Sequence, residues 1–260
     1  MTWLEAFILG LLQGLTEFLP VSSSGHLELG NYLLNTESTE NFKFSVTVHA
    51  ATVLSTIIVF RKEIWTLIRH FVSFRLTPES IYVYKILVSM IPVVIVGLLF
   101  SEQVESLFTG KIQFVGGMLL VTAFLLLLTR FVPTRNKPVT FMNAIWIGAA
   151  QALAVIPGIS RSGSTIATGL MLGTEKKEAA KFSFLMVLLP IMAVNTKEIL
   201  VADLNSSAEA GVDALIIGFL VAFISGLVAC RWMIKIVQRG NLFYFSLYCF
   251  IIGILAIILG

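Results

Sequence analysis

Charge is what this chain has least of: Asp, Glu, Lys and Arg make up 13% of its 260 residues, against 57% hydrophobic, and the mean hydropathy is +0.92. That balance excludes an ordinary soluble domain, where about a quarter of residues are charged, and implies an integral membrane protein. The apolar segments run along the whole length, so a single cleaved signal peptide does not account for them. Cysteine is scarce too. Cys230 and Cys249 both fall in apolar runs without ligand spacing, which argues against a disulfide framework and a zinc site and leaves them as small packing residues. The net charge is only +3 and the basic residues are scattered over short loops, which argues against nucleic acid as a partner.

About 20 apolar residues are needed to cross the hydrocarbon core, and six stretches qualify: 42–60, 81–100, 112–132, 182–200, 214–234 and 242–259. Two more, 3–19 and 141–156, each run into a Pro/Gly/Ser loop followed by a short apolar piece, 27–34 and 165–172, too brief to span. Each is read as a re-entrant pair that enters and leaves by one face; if both are tight full spans instead, the chain crosses ten times with the same orientation. The expected fold is an all-α polytopic membrane protein, a single domain of six transmembrane helices plus two re-entrant helix pairs.

Cytoplasmic loops keep Lys and Arg. Arg61, Lys62, Arg69 and Arg75 follow the first span, Arg130, Arg135 and Lys137 surround the exit of the third, Lys176, Lys177 and Lys181 precede the fourth, and Arg231, Lys235 and Arg239 join the last two. Thirteen of the 18 basic residues therefore share one side. The opposite loops hold Glu37, Glu40, Glu102, Glu105, Asp203, Glu209 and Asp213, which places both chain ends outside the cytoplasm. Between the first two spans, RKEIWTLIRHFVSFR (61–75) gathers Ile64, Leu67, Ile68, Phe71 and Val72 on one helical face, the pattern of a connector lying along the membrane surface.

GLLQGLTEFLPVSSSG (10–25) aligns with GAAQALAVIPGISRSG (148–163) at one constant offset of 138: Gly10 with Gly148, Gln13 with Gln151, Ser22 with Ser160, Ser24 with Ser162, Gly25 with Gly163. The prolines, Pro20 and Pro157, are out of step by one. This predicts a duplication, 1–138 and 139–260. Three spans follow each copy, so the second must insert upside down, as the charge bias also implies. Inverted repeats with broken helices meet at a polar site near the midplane, which would bring the two Pro/Gly/Ser loops together.

The residues in those loops carry chemistry. Gln13 and Glu17, four apart, share one helical face, and Pro20 is expected to stop that helix. A carboxylate in an apolar helix is costly and marks a functional site by default. His26 follows three hydroxyls, Ser22, Ser23 and Ser24, which suits acid–base or nucleophilic work. His49, alone inside an apolar span, reads as a packing residue. In PGISRSGST (157–165), Arg161 sits between Ser160 and Ser162 at a helix mouth, with Thr165 one turn on; a guanidinium fork, hydroxyls and free backbone N–H groups make an anion site that phosphate fits best. An anion clamp facing a carboxylate, an imidazole and hydroxyls suits phosphoryl transfer, and a lipid phosphate or diphosphate is the natural substrate.

At these residues the sequence resembles the undecaprenyl-diphosphate phosphatase family, membrane enzymes associated with bacitracin resistance: QGLTEFLPVSSSGHL (13–27) is similar to the family's first signature and PGISRSGST (157–165) to its second. The resemblance implies hydrolysis of undecaprenyl diphosphate to the monophosphate carrier lipid of cell-wall synthesis, in the bacterial cytoplasmic membrane with the site open to the outer face. It implies a divalent cation, calcium or magnesium; from the site residues, that ion is expected to be shared with Glu17. By the same likeness Glu17 is the essential acid, with Ser22, Ser23, His26 and Arg161 in the active site, while Gln13 stands where the family takes Glu or Gln and Ser24 where Thr also occurs. Ser23 is the first choice of nucleophile, with His26 or an activated water as alternatives. The expected partners are a polyprenyl diphosphate and the bilayer, and the oligomeric state is open between monomer and homodimer. A transporter or flippase for a phosphorylated polyprenyl lipid is the rival reading, since inverted repeats also serve alternating access.

Overall fold

A computed structural model describes residues 1–36, 38–107, 111–133, 136–201, 211–239 and 242–260. Glu37, Arg135, Asp203 and Glu209, used above to orient the loops, lie outside the described residues. Among the described residues the chain is helical throughout, with no strand beyond one isolated bridge between Lys137 and Thr174.

The helices are α1 (Trp3–Thr16), α2 (Ser23–Leu34), α3 (Ser38–Val59), α4 (Arg61–Val72), α5 (Pro78–Leu99), α6 (Ser101–Glu105), α7 (Ile112–Leu128), α8 (Phe141–Leu153), α9 (Arg161–Met171), α10 (Lys176–Met186), α11 (Leu188–Val201), α12 (Val212–Arg239) and α13 (Phe243–Leu259). Local chemistry sets several starts. Thr2 and Glu5 form a capping box on α1, with Glu5 N donating to Thr2 Oγ1 at 3.3 Å and Thr2 N to Glu5 Oε2 at 2.8 Å. Thr77 and Ser80 do the same for α5, whose first residue is Pro78.

Among the described residues three helices are long and apolar enough to cross a membrane, Pro78–Leu99, Ile112–Phe131 and Val212–Arg239, and the pair Lys43–Val59 and Arg61–Val72 makes a fourth candidate bent by 79°. Apolar side chains left exposed on one-turn spacings, such as Ile91, Ile95 and Leu98 on α5 and Ile216, Leu220, Ile224 and Val228 on α12, form a lipid-facing belt. The chain is thus a multi-pass membrane protein. The bend after α3 leaves α4 as the expected amphipathic connector: Ile64 and Leu67 pack on the core, while Trp65, Ile68 and Val72 are exposed. Cys230 and Cys249 are free and buried, as packing residues should be.

Two expectations change in detail. The apolar run 182–200 is not one rod but the end of α10 and α11, broken at Val187. And α1 ends at Thr16, before Pro20 could stop it: Glu17 is its C-cap, at φ −60° and ψ −41°, with its backbone N–H donating to Gln13 O. The residues from 17 to 21 are turn, and the Glu17 side chain stays within reach of Gln13, one turn back on the helix.

The first three helices of each half start 138 residues apart: Trp3 and Phe141, Ser23 and Arg161, Ser38 and Lys176. The packing is crossed in the same way. α1 lies against α12 of the second half, and α8 lies against α5 of the first. Membrane helices associate through small residues that let backbones approach, and the matching glycines do this in both places. A Cβ on Gly10 would sit 2.7 Å from Gly218 O, and one on Gly148 would sit 2.1 Å from Ser89 O. α7 and α13 pack against each other across the same arrangement.

Candidate active site

The site forms where the chain turns between α1 and α2 and between α8 and α9. Ser22 is the N-cap of α2: its Oγ accepts from Gly25 N at 3.2 Å and its carbonyl from His26 N at 3.1 Å. Ser160 does the same for α9, accepting from Gly163 N at 3.0 Å and from Ser164 N at 2.8 Å. In each case the serine carbonyl takes the first intrahelical bond and its side chain satisfies one of the helix's orphan donors, leaving the N–H groups of Ser23 and Ser24, and of Arg161 and Ser162, without an intrahelical acceptor. Gly158, at φ +93°, makes the turn into the second loop.

The tips of the two loops touch. Ser162 Oγ donates to Leu19 O at 3.1 Å, and a Cβ on Gly25 would come 3.1 Å from Gly158 Cα. This brings Arg161 to Glu17, 144 residues away, where Nη2 donates to Oε1. The other oxygen, Oε2, accepts from Ser23 Oγ at 2.6 Å and from Gln13 Nε2 at 3.0 Å. Glu17 is thus a buried carboxylate with three partners, its side chain 7% exposed, while Arg161 at 29% reaches toward an opening. Buried charges need this degree of pairing.

A cavity opens beside the ion pair. Glu17, Arg161, Ser162, Ser183, Thr52 and Thr56 line its polar part, and Phe18, Val53, Phe184, Val187, Leu188 and Ile191 its apolar part. It lies between α3 and the broken helix α10–α11, so the break at Val187 is part of its wall. Its lining is thus charged at one end and apolar at the other.

The structure distributes the other predicted residues around this centre. Gln13 is fully buried, and its Oε1 has no hydrogen-bond partner. Ser22 and Ser24 lie 3.4 Å apart through their hydroxyls, as do Ser160 and Ser162. Thr165 is turned away: it donates to Arg161 O at 2.8 Å and meets Ser183 Oγ at 2.6 Å, so it fastens α9 to α10 beneath Arg161. His26 is buried and takes neither Glu17 nor Ser23 as partner; its Nδ1 meets Ser22 O and its Nε2 meets Tyr248 Oη, both at 2.8 Å.

Three contributors were not assigned to the site from the sequence. His49, read as packing, points Nε2 at Glu17 Oε2 from 4.0 Å, while its Nδ1 lies 2.8 Å from Ser45 O. It shares a helical face with Thr52, Val53 and Thr56, the cavity-lining residues, at spacings of three, four and seven; that periodicity is the signal that could have found it. Thr122 on α7 donates to Gly158 O at 3.0 Å and accepts from Ser160 N at 2.9 Å, which pins the Arg161 loop. Tyr248 on α13 holds His26.

Among the described residues, no three of His, Cys, Asp and Glu converge as a self-contained metal site. What the centre offers a hard cation is one carboxylate and the unpartnered Oε1 of Gln13. That fits magnesium or calcium bound through few protein oxygens and completed by phosphate oxygens.

The whole chain has relatives. An undecaprenyl-diphosphatase of Christiangramia forsetii is 49% identical over 256 residues, covering 98% of this chain and 97% of the relative. One of Bacteroides fragilis is 48% identical over 264 residues, covering 100% and 99%, and one of Methanobrevibacter smithii is 35% identical over 268 residues, covering 97% and 95%. The family described as bacitracin resistance protein BacA matches residues 6–255, the span that contains both loops. The meeting of Arg161 with Glu17 is therefore found in a chain that belongs to that family.

Proposed function

We propose that this chain hydrolyses undecaprenyl diphosphate to undecaprenyl phosphate and inorganic phosphate, returning the carrier lipid to cell-wall synthesis and so opposing bacitracin. The observation that carries the reading is Arg161 and Ser23 joined through one buried carboxylate, at the point where the first turns of α2 and α9 face each other.

The architecture that accounts for this centre is an inverted repeat, residues 1–138 and 139–260, with six spans and with α1–α2 and α8–α9 as re-entrant pairs dipping in from opposite faces. The shared helix starts and the crossed packing of α1 on α12 and α8 on α5 support it. The site opens to the outer face of the bacterial cytoplasmic membrane, and the polyprenyl tail lies against the apolar wall of Phe18, Phe184, Val187 and Ile191.

The reaction then follows from positions and charge. The terminal phosphate enters between the two helix N-termini, where free N–H groups and the guanidinium fork neutralise it. Arg161 exchanges Glu17 Oε1 for phosphate oxygens, and Glu17 is left to take the Ser23 hydroxyl proton through Oε2. Ser23 Oγ bonds to the terminal phosphorus as the bridging P–O bond breaks, and undecaprenyl phosphate leaves with that oxygen. Water then attacks the phosphoserine: its oxygen bonds to phosphorus as the Ser23 Oγ–P bond breaks, Glu17 returns its proton to Ser23 Oγ, the proton shed by the water passes by way of the freed carboxylate to solvent, and inorganic phosphate departs with Glu17 ionised again. Gln13 holds the carboxylate rotamer that serves both steps. A divalent cation held by Glu17 and Gln13 Oε1 would supply further neutralisation of the diphosphate charge.

The test is phosphate release from micellar polyprenyl diphosphate by the purified protein, with and without EDTA, followed by acid quench and peptide mapping. We expect cation-dependent release and a phosphoryl group on Ser23. Lipid movement in vesicles without any phosphate release would reverse the reading in favour of a transporter.

A further inference from the structure

His26 does not touch the reacting groups, yet its environment is more tightly specified than that of most residues around the site. The Ser22 carbonyl can only accept, so the contact of 2.8 Å puts the imidazole proton on Nδ1. In the neutral ring Nε2 is then an acceptor, and the Tyr248 hydroxyl, 2.8 Å away, is its donor. The two rings lie nearly parallel, 10° apart with centroids at 5.5 Å. His26 is buried, on α2; Tyr248 is on α13, at the far end of the sequence.

The residue at the other end of this chain of bonds is the unusual one. Ser22 has φ +70° and ψ 96°, a left-handed conformation for a residue with a side chain. Such a backbone persists only where its surroundings over-determine it. Here its carbonyl receives both the backbone N–H and the Nδ1–H of His26. The next residue is Ser23, whose Oγ lies 2.6 Å from Glu17 Oε2. A rotation at Ser22 would swing Ser23 off the carboxylate.

We propose that Tyr248 is a positioning residue for the phosphatase reaction: its hydroxyl sets the His26 tautomer, His26 holds the strained Ser22 carbonyl, and Ser22 aims Ser23 at Glu17. This rests on the reading of Ser23 as nucleophile given above. Tyr248 acts through two intermediaries and is not among the residues lining the cavity, so its loss should slow turnover without weakening substrate binding.

Tyr248→Phe removes the hydroxyl and keeps the ring. We expect kcat to fall roughly tenfold, the worth of one hydrogen bond, with KM unchanged, and the same substitution to have no further effect in a His26→Phe background. Nitrogen-15 spectra of histidine-labelled protein in lipid should show His26, identified by its loss in His26→Phe, as the Nδ1–H tautomer in the wild type and as a tautomer mixture in Tyr248→Phe. An unchanged kcat in Tyr248→Phe, or a wild-type His26 protonated on Nε2 alone, overturns the proposal; the second result decides even where the variant does not fold. Ser23→Ala separates the two layers. If it is inactive while Tyr248→Phe turns over normally, only the positioning role falls; if it stays active, the nucleophile assignment falls and takes the positioning role with it.

Discussion

The two polar loops, residues 17–27 and 155–165, are built on the same plan and equipped in opposite ways. Both follow a helix bearing a buried glutamine, Gln13 or Gln151, and both lead into a helix capped by a serine, Ser22 or Ser160. At the positions 138 apart the first loop has Glu17, Ser23 and His26 where the second has Val155, Arg161 and Ser164. One loop brings the carboxylate and the hydroxyl proposed as nucleophile, the other the guanidinium. Neither makes a site alone, because a buried carboxylate or guanidinium without its opposite is too costly to hold. The glutamines record the same division: Gln13 donates to Glu17, whereas neither amide atom of Gln151 has a hydrogen-bond partner, with a valine at position 155.

The division can be broken most sharply at Arg161. Arg161→Ala should lower kcat/KM by roughly a thousandfold or more, since it removes the charge that meets the phosphate and leaves Glu17 unpaired; phosphate release in detergent measures it. Arg161→Lys should fall nearly as far, because a point charge lacks the planar fork.

The matching glycines probe the shared scaffold instead. Gly148→Ala forces a methyl against Ser89 O, and Gly10→Ala forces one against Gly218 O with more room. Both should lower the thermal midpoint in detergent, by about 1–3 kcal/mol of stability, with Gly148→Ala the worse of the two. Equal effects would show that α1 and α8 relax by different amounts.

The smallest effects separate the glutamines. Gln13→Leu should cost roughly tenfold in kcat, one hydrogen bond to the carboxylate, and lower stability little. Gln151→Leu should leave turnover intact and raise stability by about 1 kcal/mol, because it removes buried polar atoms that gain nothing in return. A loss of activity in Gln151→Leu would mean that the second glutamine works in the site after all.

Much of this was open to reading in the amino acids. Glu17 and Arg161 stand out because charge inside apolar sequence needs a reason, and the offset of 138 between the loops implied that they meet. What escaped were contributions from ordinary-looking helices. His49 looked like one imidazole in an apolar span, and the rotation of α3 that turns it toward Glu17 is set by packing against α12 and α11. Thr122 and Tyr248 sit in the most apolar runs of the chain, where a single hydroxyl carries no signal until a loop or a ring is seen to lie against it. The break at Val187 was equally hidden, since an apolar run reads alike whether the helix continues or restarts.

The sequence by itself determined that the chain lives in a bilayer, roughly where its apolar segments lie, and that two loops set polar and charged residues inside apolar sequence, because hydropathy and charge are local properties. Only the tertiary structure decided which atoms face each other: that Glu17 takes Arg161 on one oxygen and Ser23 on the other, and that His26 serves Ser22 and Tyr248. Those choices depend on how helices rotate and cross, and in lipid that is settled by close contact between small residues far apart in the chain.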